Sequence, residues 1–455
     1  MKSNINDKFF SKECLKNTLK ININNVGYSK IINKFLCSLN IIDNYKNVFS
    51  YLNTKYYTSV ISNLEIDEYE KYNNEKINIT LCAIVKNEER CIKRFLDKHL
   101  PYFDEIVIVD TGSTDNTLNI LKSYKAMNKK LNTFDYIWED DFSKARNFAK
   151  KNAKNEWILF LDADEYIKES EINKLYDLLK IIDFHENKKE FAFSLEIQNK
   201  DSNIRNITMQ RIINNSKYLN YYGRVHEYVK STSKNGQFAL CHTNIVVFHD
   251  GYMNGIIKKK DKVNRNLELL RKMIEEDTSN FRWLYYFTRD IIYNPNLEEI
   301  SYITENYLPK IKKQFNKEYS KEVIVNIIAI YFQCGQFELV DKLIQEYEEL
   351  EKDNYDFVYY KTLLHYIECK NKMNYLLKEI CKYRKKTFNK MESRINYDGY
   401  HIDLLIGLLL FEIGKFDQAR KYIEFYIEFI DNKIDDDLLF VDIEPIKQLL
   451  NIQDS

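Results

Sequence analysis

Turn punctuation is scarce in this chain: its 455 residues include 4 prolines and 10 glycines. So little of either favours long helices over a tightly turned, all-β design. No window reaches about 18 apolar residues, so no membrane span is expected. The opening MKSNINDKFFSKECLK has no uninterrupted apolar stretch, so it does not read as a secretory leader. No sign of charge dominates. The 68 Lys and Arg offset the 68 Asp and Glu, and the formal net charge is +0. That balance removes any global electrostatic case for nucleic acid as a partner. The 8 cysteines (Cys14, Cys37, Cys82, Cys91, Cys241, Cys334, Cys369, Cys381) form no CxxC pair. A zinc ribbon or thioredoxin-type site is therefore not expected, and scattered thiols fit a cytoplasmic protein. No GxGxxG occurs, which argues against a dinucleotide-binding domain.

Three regions differ in period. Residues 1–75 read as an N-terminal helical segment, with apolar residues at three- and four-residue steps in 31–52. From 76 to 257 the pattern is α/β. ITLCAIV (79–85), EIVIVD (105–110), FDYIW (134–138) and WILFLDAD (157–164) read as strands. Helical stretches at 88–100, 114–124 and 142–153 separate them. Alternation at intervals of roughly 25–30 residues implies right-handed crossovers and a parallel sheet. Further strands are expected at 190–198, 206–213 and 243–249. From 258 to 455 the pattern is helical. IYFQCGQFELVDKLIQEY (330–347) and LLFEIGKFDQARKYIEFY (409–426) resemble each other, with a weaker copy at 365–383. Such spacing points to tetratricopeptide-like helix pairs, with a plain helical bundle as the rival.

Ligands of open α/β sheets sit at the carboxyl ends of the strands, and four sets of residues fall there or follow. Val85, Asn87 and Glu88 end the first strand, where Asn87 or Glu88 also suits a helix cap. Asp110 and Gly112 open DTGSTDNT after the second strand. Asp110 is placed to accept hydrogen bonds from a base or ribose, while Thr114 or Asp115 suits capping. In LFLDADE, Asp162 and Asp164 are two apart, so an extended chain projects both carboxylates to one side. Like charges held together call for a cation, and Mg²⁺ or Mn²⁺ with diphosphate oxygens suits hard oxygen ligands. In GRVHEYV and FHDGY, Glu227 is a candidate general base and His249 a candidate imidazole ligand.

Together CAIVKNEE (82–89), IVIVDTGSTDNT (106–117), WEDDFSKARN (138–147), LFLDADE (159–165) and GRVHEYV (223–229) resemble the family-2 inverting glycosyltransferases of the GT-A fold. The chain is similar, more closely, to the sublancin-type peptide S-glycosyltransferases. That likeness continues through 248–270 and 280–290. The resemblance implies a nucleotide-sugar site of Val85, Asn87, Glu88, Asp110, Gly112, Arg146 and Asp162. Within it Asp110 would read uracil and Arg146 would approach the nucleotide or its phosphates. It implies metal ligands Asp164 and His249 for Mg²⁺ or Mn²⁺, and Glu227 as the base. Ala163 stands where the family commonly has a third carboxylate. The expected activity is transfer of a hexose from a UDP-sugar to a peptide, on a cysteine thiol of a bacteriocin precursor. The alternatives are a saccharide acceptor in envelope polysaccharide or lipopolysaccharide-core assembly, and a non-enzymatic helical-repeat scaffold. The helical tail is expected to take the peptide or to form a homodimer.

Overall fold

The computed structural model describes residues 76–183, 191–199, 205–233, 239–249, 256–351, 354–385, 399–430 and 444–450. The helical segment expected at 1–75 lies outside them. The chain divides into two compact units, one closing at Phe287 and the other opening at Thr288.

The first unit is built on β1 (Ile79–Val85), β2 (Glu105–Asp110), β3 (Leu131–Asp135) and β4 (Trp157–Phe160). Their helical crossovers are α1 (Ile92–His99), α2 (Thr117–Met127) and α3 (Phe142–Asn152). β1, β2 and β3 pair in parallel, and β4 runs parallel to β1. The continuous apolar runs are explained by burial on both faces. Leu81, Ala83, Ile106, Ile108 and Leu159 enter one core, and their neighbours Cys82, Val107, Val109, Ile158 and Phe160 enter another.

Beyond β4 come β5 (Glu165–Ile167), α4 (Glu169–Asp183), β6 (Phe191–Asn199) and β7 (Arg205–Asn214). β8 (Leu219–Tyr222), β9 (Tyr228–Ser231) and β10 (Ala239–His249) follow. The main sheet has the order β3-β2-β1-β4-β7-β6-β10-β5, and β8 with β9 forms a separate ribbon. α5 (Ile256–Glu276) continues this unit, and α6 (Phe281–Ile291) begins in it.

Two strand expectations need correction. The third strand lies at Leu131–Asp135 rather than 134–138: pairing with β2 ends at Asp135, and Ile137 is 88% exposed. The fourth ends at Phe160 rather than 164. There the chain turns tightly, with Glu165 N–H donating to Asp162 O at 2.9 Å, and returns as β5 against β10. β8 and β9 were not expected from the sequence pattern.

The second unit is helical: α7 (Leu297–Lys313), α8 (Ser320–Gln333), α9 (Phe337–Glu348), α10 (Tyr355–Lys385), α11 (Tyr400–Glu412), α12 (Phe416–Ile430) and α13 (Glu444–Leu450). The two resembling segments fold as the same hairpin. Gly335 and Gly414, at φ 71° and 84°, end α8 and α11. After each, the next residue's N–H reaches back to close the helix: Gln336 to Tyr331 O at 2.9 Å, Lys415 to Leu410 O at 2.8 Å. This is the left-handed glycine cap with its 6→1 bond. A Phe pair then bridges each turn, Phe332–Phe337 and Phe411–Phe416, both with ring centroids 5.4 Å apart. The weaker copy at 365–383 is different: it lies within the uninterrupted helix α10. Lys370-Asn371-Lys372 has no glycine to take the left-handed cap. Among the described residues, no helix is long and apolar enough to cross a membrane.

Candidate active site

The loops after β1 and β2 are laced together. Asn87, itself in the left-handed region at φ 58°, accepts from Thr114 N–H at 2.7 Å, and its own N–H donates to Ser113 Oγ at 2.8 Å. Glu88 N–H donates to Thr117 Oγ1 at 2.8 Å. Asp115, one of the expected caps, accepts from Thr117 N–H at 3.0 Å. These bonds fix the strand ends where Val85 and Asp110 lie side by side. Asp110 Oδ1 accepts from Gly112 N–H at 2.9 Å and Ser113 N–H at 2.8 Å. Its Oδ2 is buried and has no partner among the described residues. A buried carboxylate oxygen left unpaired is costly, and a ligand N–H or O–H is its natural partner.

α3 starts at Asp141, which accepts from Lys144 N–H at 3.0 Å. The helix then carries three consecutive residues with separate tasks. Ala145 is fully buried. Arg146 reaches the strand ends. Asn147 clasps the backbone of Tyr221 on β8 in both directions, at 2.8 and 2.9 Å. Arg146 donates through Nε to Glu227 Oε1 at 2.6 Å and through Nη2 to Asp162 Oδ1 at 3.3 Å. Its guanidinium lies over Phe160 and Tyr221, 5.5 and 5.6 Å from their ring centres. Nη1 is buried without a partner among the described residues.

The turn after β4 sends its two aspartates to different neighbours, so the expectation that both project together from an extended chain is corrected. Asp162 turns to cations: Arg211 on β7 donates to it at 3.0 and 3.3 Å, beside Arg146. Burial alone would raise its carboxyl, but Arg211 and Arg146 hold it well below the usual carboxylate range. Asp164 turns to His249, whose Nε2 lies 3.0 Å from Asp164 Oδ2. The β5–β10 register, Glu165 opposite His249, causes this meeting across 85 residues of sequence. Asn199 Oδ1, 3.1 Å from His249 Nδ1, orients the ring from β6. The hydrogen bond to Asp164, against the opposing effect of burial, raises the imidazole above its ordinary value.

Sequence reasoning missed three of these groups. Glu165 stood inside LFLDADE and proves to be buried, bonded to Asp162 N–H at 2.8 Å and to Arg211 at 3.1 Å. Arg211 was the signal available: it stands directly before Ile212 and Ile213, both fully buried, and a guanidinium drawn into the sheet beside them needs a carboxylate. Asn199 carried no signal before β6 and β10 were paired.

The donor set of Asp164 and His249 fits a divalent cation. The pair already shares one hydrogen between carboxylate and imidazole, the position a cation takes in its place. Glu88 lies close by: burial first, and then the nearby Asp164, push it up to about 7. Among the described residues no cluster of three or more ligating groups exists.

The family model for glycosyl transferase family 2 matches residues 80–242. The match covers most of the sheet that carries these residues, and the chain is a glycosyltransferase. The scaffold alternative falls with this assignment. The chain is similar to the SPbeta prophage-derived glycosyltransferase SunS of Bacillus subtilis, 26% identical over 314 residues, 68% of this chain and 71% of that protein. It is also similar to a poly(ribitol-phosphate) beta-glucosyltransferase of Bacillus spizizenii, 33% identical over 110 residues, 23% of this chain and 17% of that protein. Among solved structures, TarS 1–349 of S. aureus in complex with UDP-GlcNAc aligns with a TM-score of 0.37 and 15% identity, over 61% of this chain and 93% of that one.

Proposed function

We propose that the chain transfers a hexose from a UDP-sugar, with inversion, to a cysteine thiol of a bacteriocin-type peptide. The observation that carries the donor half is the meeting of Asp164 and His249 at 3.0 Å, beside strand ends that hold Asp110. Asp110 offers its unpartnered Oδ2 to the uracil, and Arg146 offers Nη1 to the nucleotide phosphates. Charge developing on the departing diphosphate is what Mg²⁺ or Mn²⁺, held by Asp164 and His249, would offset. Glu227 accepts the thiol proton as sulfur attacks the anomeric carbon. The C–O bond to UDP breaks as the C–S bond forms, and UDP leaves with the electron pair. A free thiol has a pKa near 8.5, so modest help from a base suffices. Arg146 holds Glu227 Oε1, which leaves Oε2 for the proton.

The acceptor half rests on the reach of the likeness. The SunS match runs over 314 residues, longer than the family-2 span of 80–242, and the sublancin-type resemblance continues through 248–270 and 280–290. In this reading the hairpins of the second unit are degenerate tetratricopeptide-like pairs that take the peptide or join a cytoplasmic homodimer. The poly(ribitol-phosphate) beta-glucosyltransferase similarity favours a second reading, a saccharide-type acceptor. Titration of UDP with and without Mn²⁺ tests the donor site. Asp164→Ala is expected to lose the metal-dependent part of the affinity; an unchanged titration removes Asp164 from the metal site.

A further inference from the structure

Glu227 sits between two residues that one buried guanidinium holds. Arg282, on α6 and 9% exposed, donates through Nη2 to the carbonyl of His226 at 3.1 Å. Its guanidinium also lies 4.7 Å from the ring centre of Tyr228 and 4.9 Å from that of Tyr286. His226 is in the left-handed region at φ 51°, which a non-glycine residue occupies only when its surroundings impose it. The surroundings are on α6: besides the Arg282 bond, the His226 ring stacks on Tyr286 at 4.0 Å with an 8° tilt. The same helix presses on the start of the loop. A Cβ at Gly223 would lie 2.4 Å from the Trp283 ring, so only glycine admits that approach.

We propose that Arg282 is a positioning residue for Glu227. It fixes the carbonyl before Glu227 and the ring after it, and so keeps the carboxylate aimed at Arg146 and the acceptor. Cation–π contact on two rings and a charge-assisted bond make the hold stiff. The proposal rests on Glu227 as the base, and its consequence falls on turnover rather than on donor binding.

The test uses the full chain, measuring UDP release from the UDP-hexose that the wild type turns over fastest. Arg282→Met is expected to lower kcat by about 10- to 100-fold, the scale of a slightly misplaced catalytic group. The donor KM should stay within about twofold, and Arg282→Lys should recover part of the loss, since it keeps a donor and a cation. In the Glu227→Gln background Arg282→Met should add no further loss. Wild-type kcat in Arg282→Met, or its full factor appearing again on top of Glu227→Gln, overturns the positioning role while leaving Glu227 in place. Full activity in Glu227→Gln instead overturns the base assignment itself, and the positioning role with it. Should Arg282→Met fail to fold, Tyr286→Leu removes the stack on His226. It is expected to lower kcat with donor KM kept, and wild-type kcat there overturns the proposal.

Discussion

Asp110 divides its two oxygens. One closes the turn through Gly112 and Ser113, and the other is buried without a partner among the described residues. Asp110→Asn can keep the first duty, since an amide oxygen accepts the same two N–H groups. It alters the second by placing a donor where the ligand is expected to donate. The expected result is a donor KM raised about tenfold, or ~1.4 kcal/mol, with kcat nearly kept and an unchanged melting curve. An unaltered donor KM would take Asp110 out of nucleotide reading. At this scale Asp110, Glu227 and Asp164 were legible as candidates because each stands at the edge of an element, whereas Arg146, inside α3, came from the resemblance carried by WEDDFSKARN. The sequence was less informative for Asn87. That residue's side-chain oxygen is occupied by Thr114, which ties one loop to another 27 residues away. Glu165 and Arg211 were invisible as a pair for the same reason: 46 residues separate them, and only the sheet brings β7 beside the turn after β4.

The elements around the site show how a strand can be read correctly and still end early. Apolar continuity defined β1 and β2 to the residue. In WILFLDAD the apolar run outlasts the sheet pairing, and a tight turn, not an extended strand, presents the aspartates. That turn is held from behind by His99 on α1, whose Nε2 accepts from Ile167 N–H on β5 at 3.3 Å. His99 is fully buried, and burial depresses its imidazole to about 4. A group depressed on folding stabilises the native state fully above its unfolded value. The stabilisation fades as pH falls from about 6.5 towards 4, because the unfolded chain takes up a proton that the native state refuses. His99→Gln keeps an acceptor for Ile167 and cannot titrate. The stability gap between wild type and this variant, measured by urea midpoint, is expected to narrow by on the order of 2–3 kcal/mol between pH 7 and pH 4. A gap that stays constant would show that His99 is protonated equally in both states. The hairpins after α8 and α11 were legible because the G-x-F turn repeats in sequence, whereas the same spacing within α10 had no glycine to break it.

At the scale of the whole molecule, the helical region begins inside the catalytic unit. α5 and the first turns of α6 close over the loop that carries Glu227. Arg224 pairs with Glu276 at 2.6 Å, Tyr222 OH reaches Asp277 at 3.0 Å, and Trp283 fills the place beside Gly223. A chain ending at residue 260 would lose all three. It is expected to melt without cooperativity and to release no UDP; a stable, active product would show that these helices are dispensable. The sequence pattern marked a change of period near 258 but not this packing, since helical periodicity does not say which neighbour an apolar face will meet. In the proposed function, the site built from Asp110, Asp164, His249 and Glu227 moves a sugar onto a thiol. The most direct measurement is incubation of the full chain with UDP-hexoses, Mn²⁺ or Mg²⁺ and a cysteine-bearing peptide, followed by mass spectrometry of the peptide. A hexose-sized mass gain on the cysteine is expected, and it is lost in Glu227→Gln. Release of UDP with the peptide unmodified across every donor would contradict this function and move the acceptor to a saccharide.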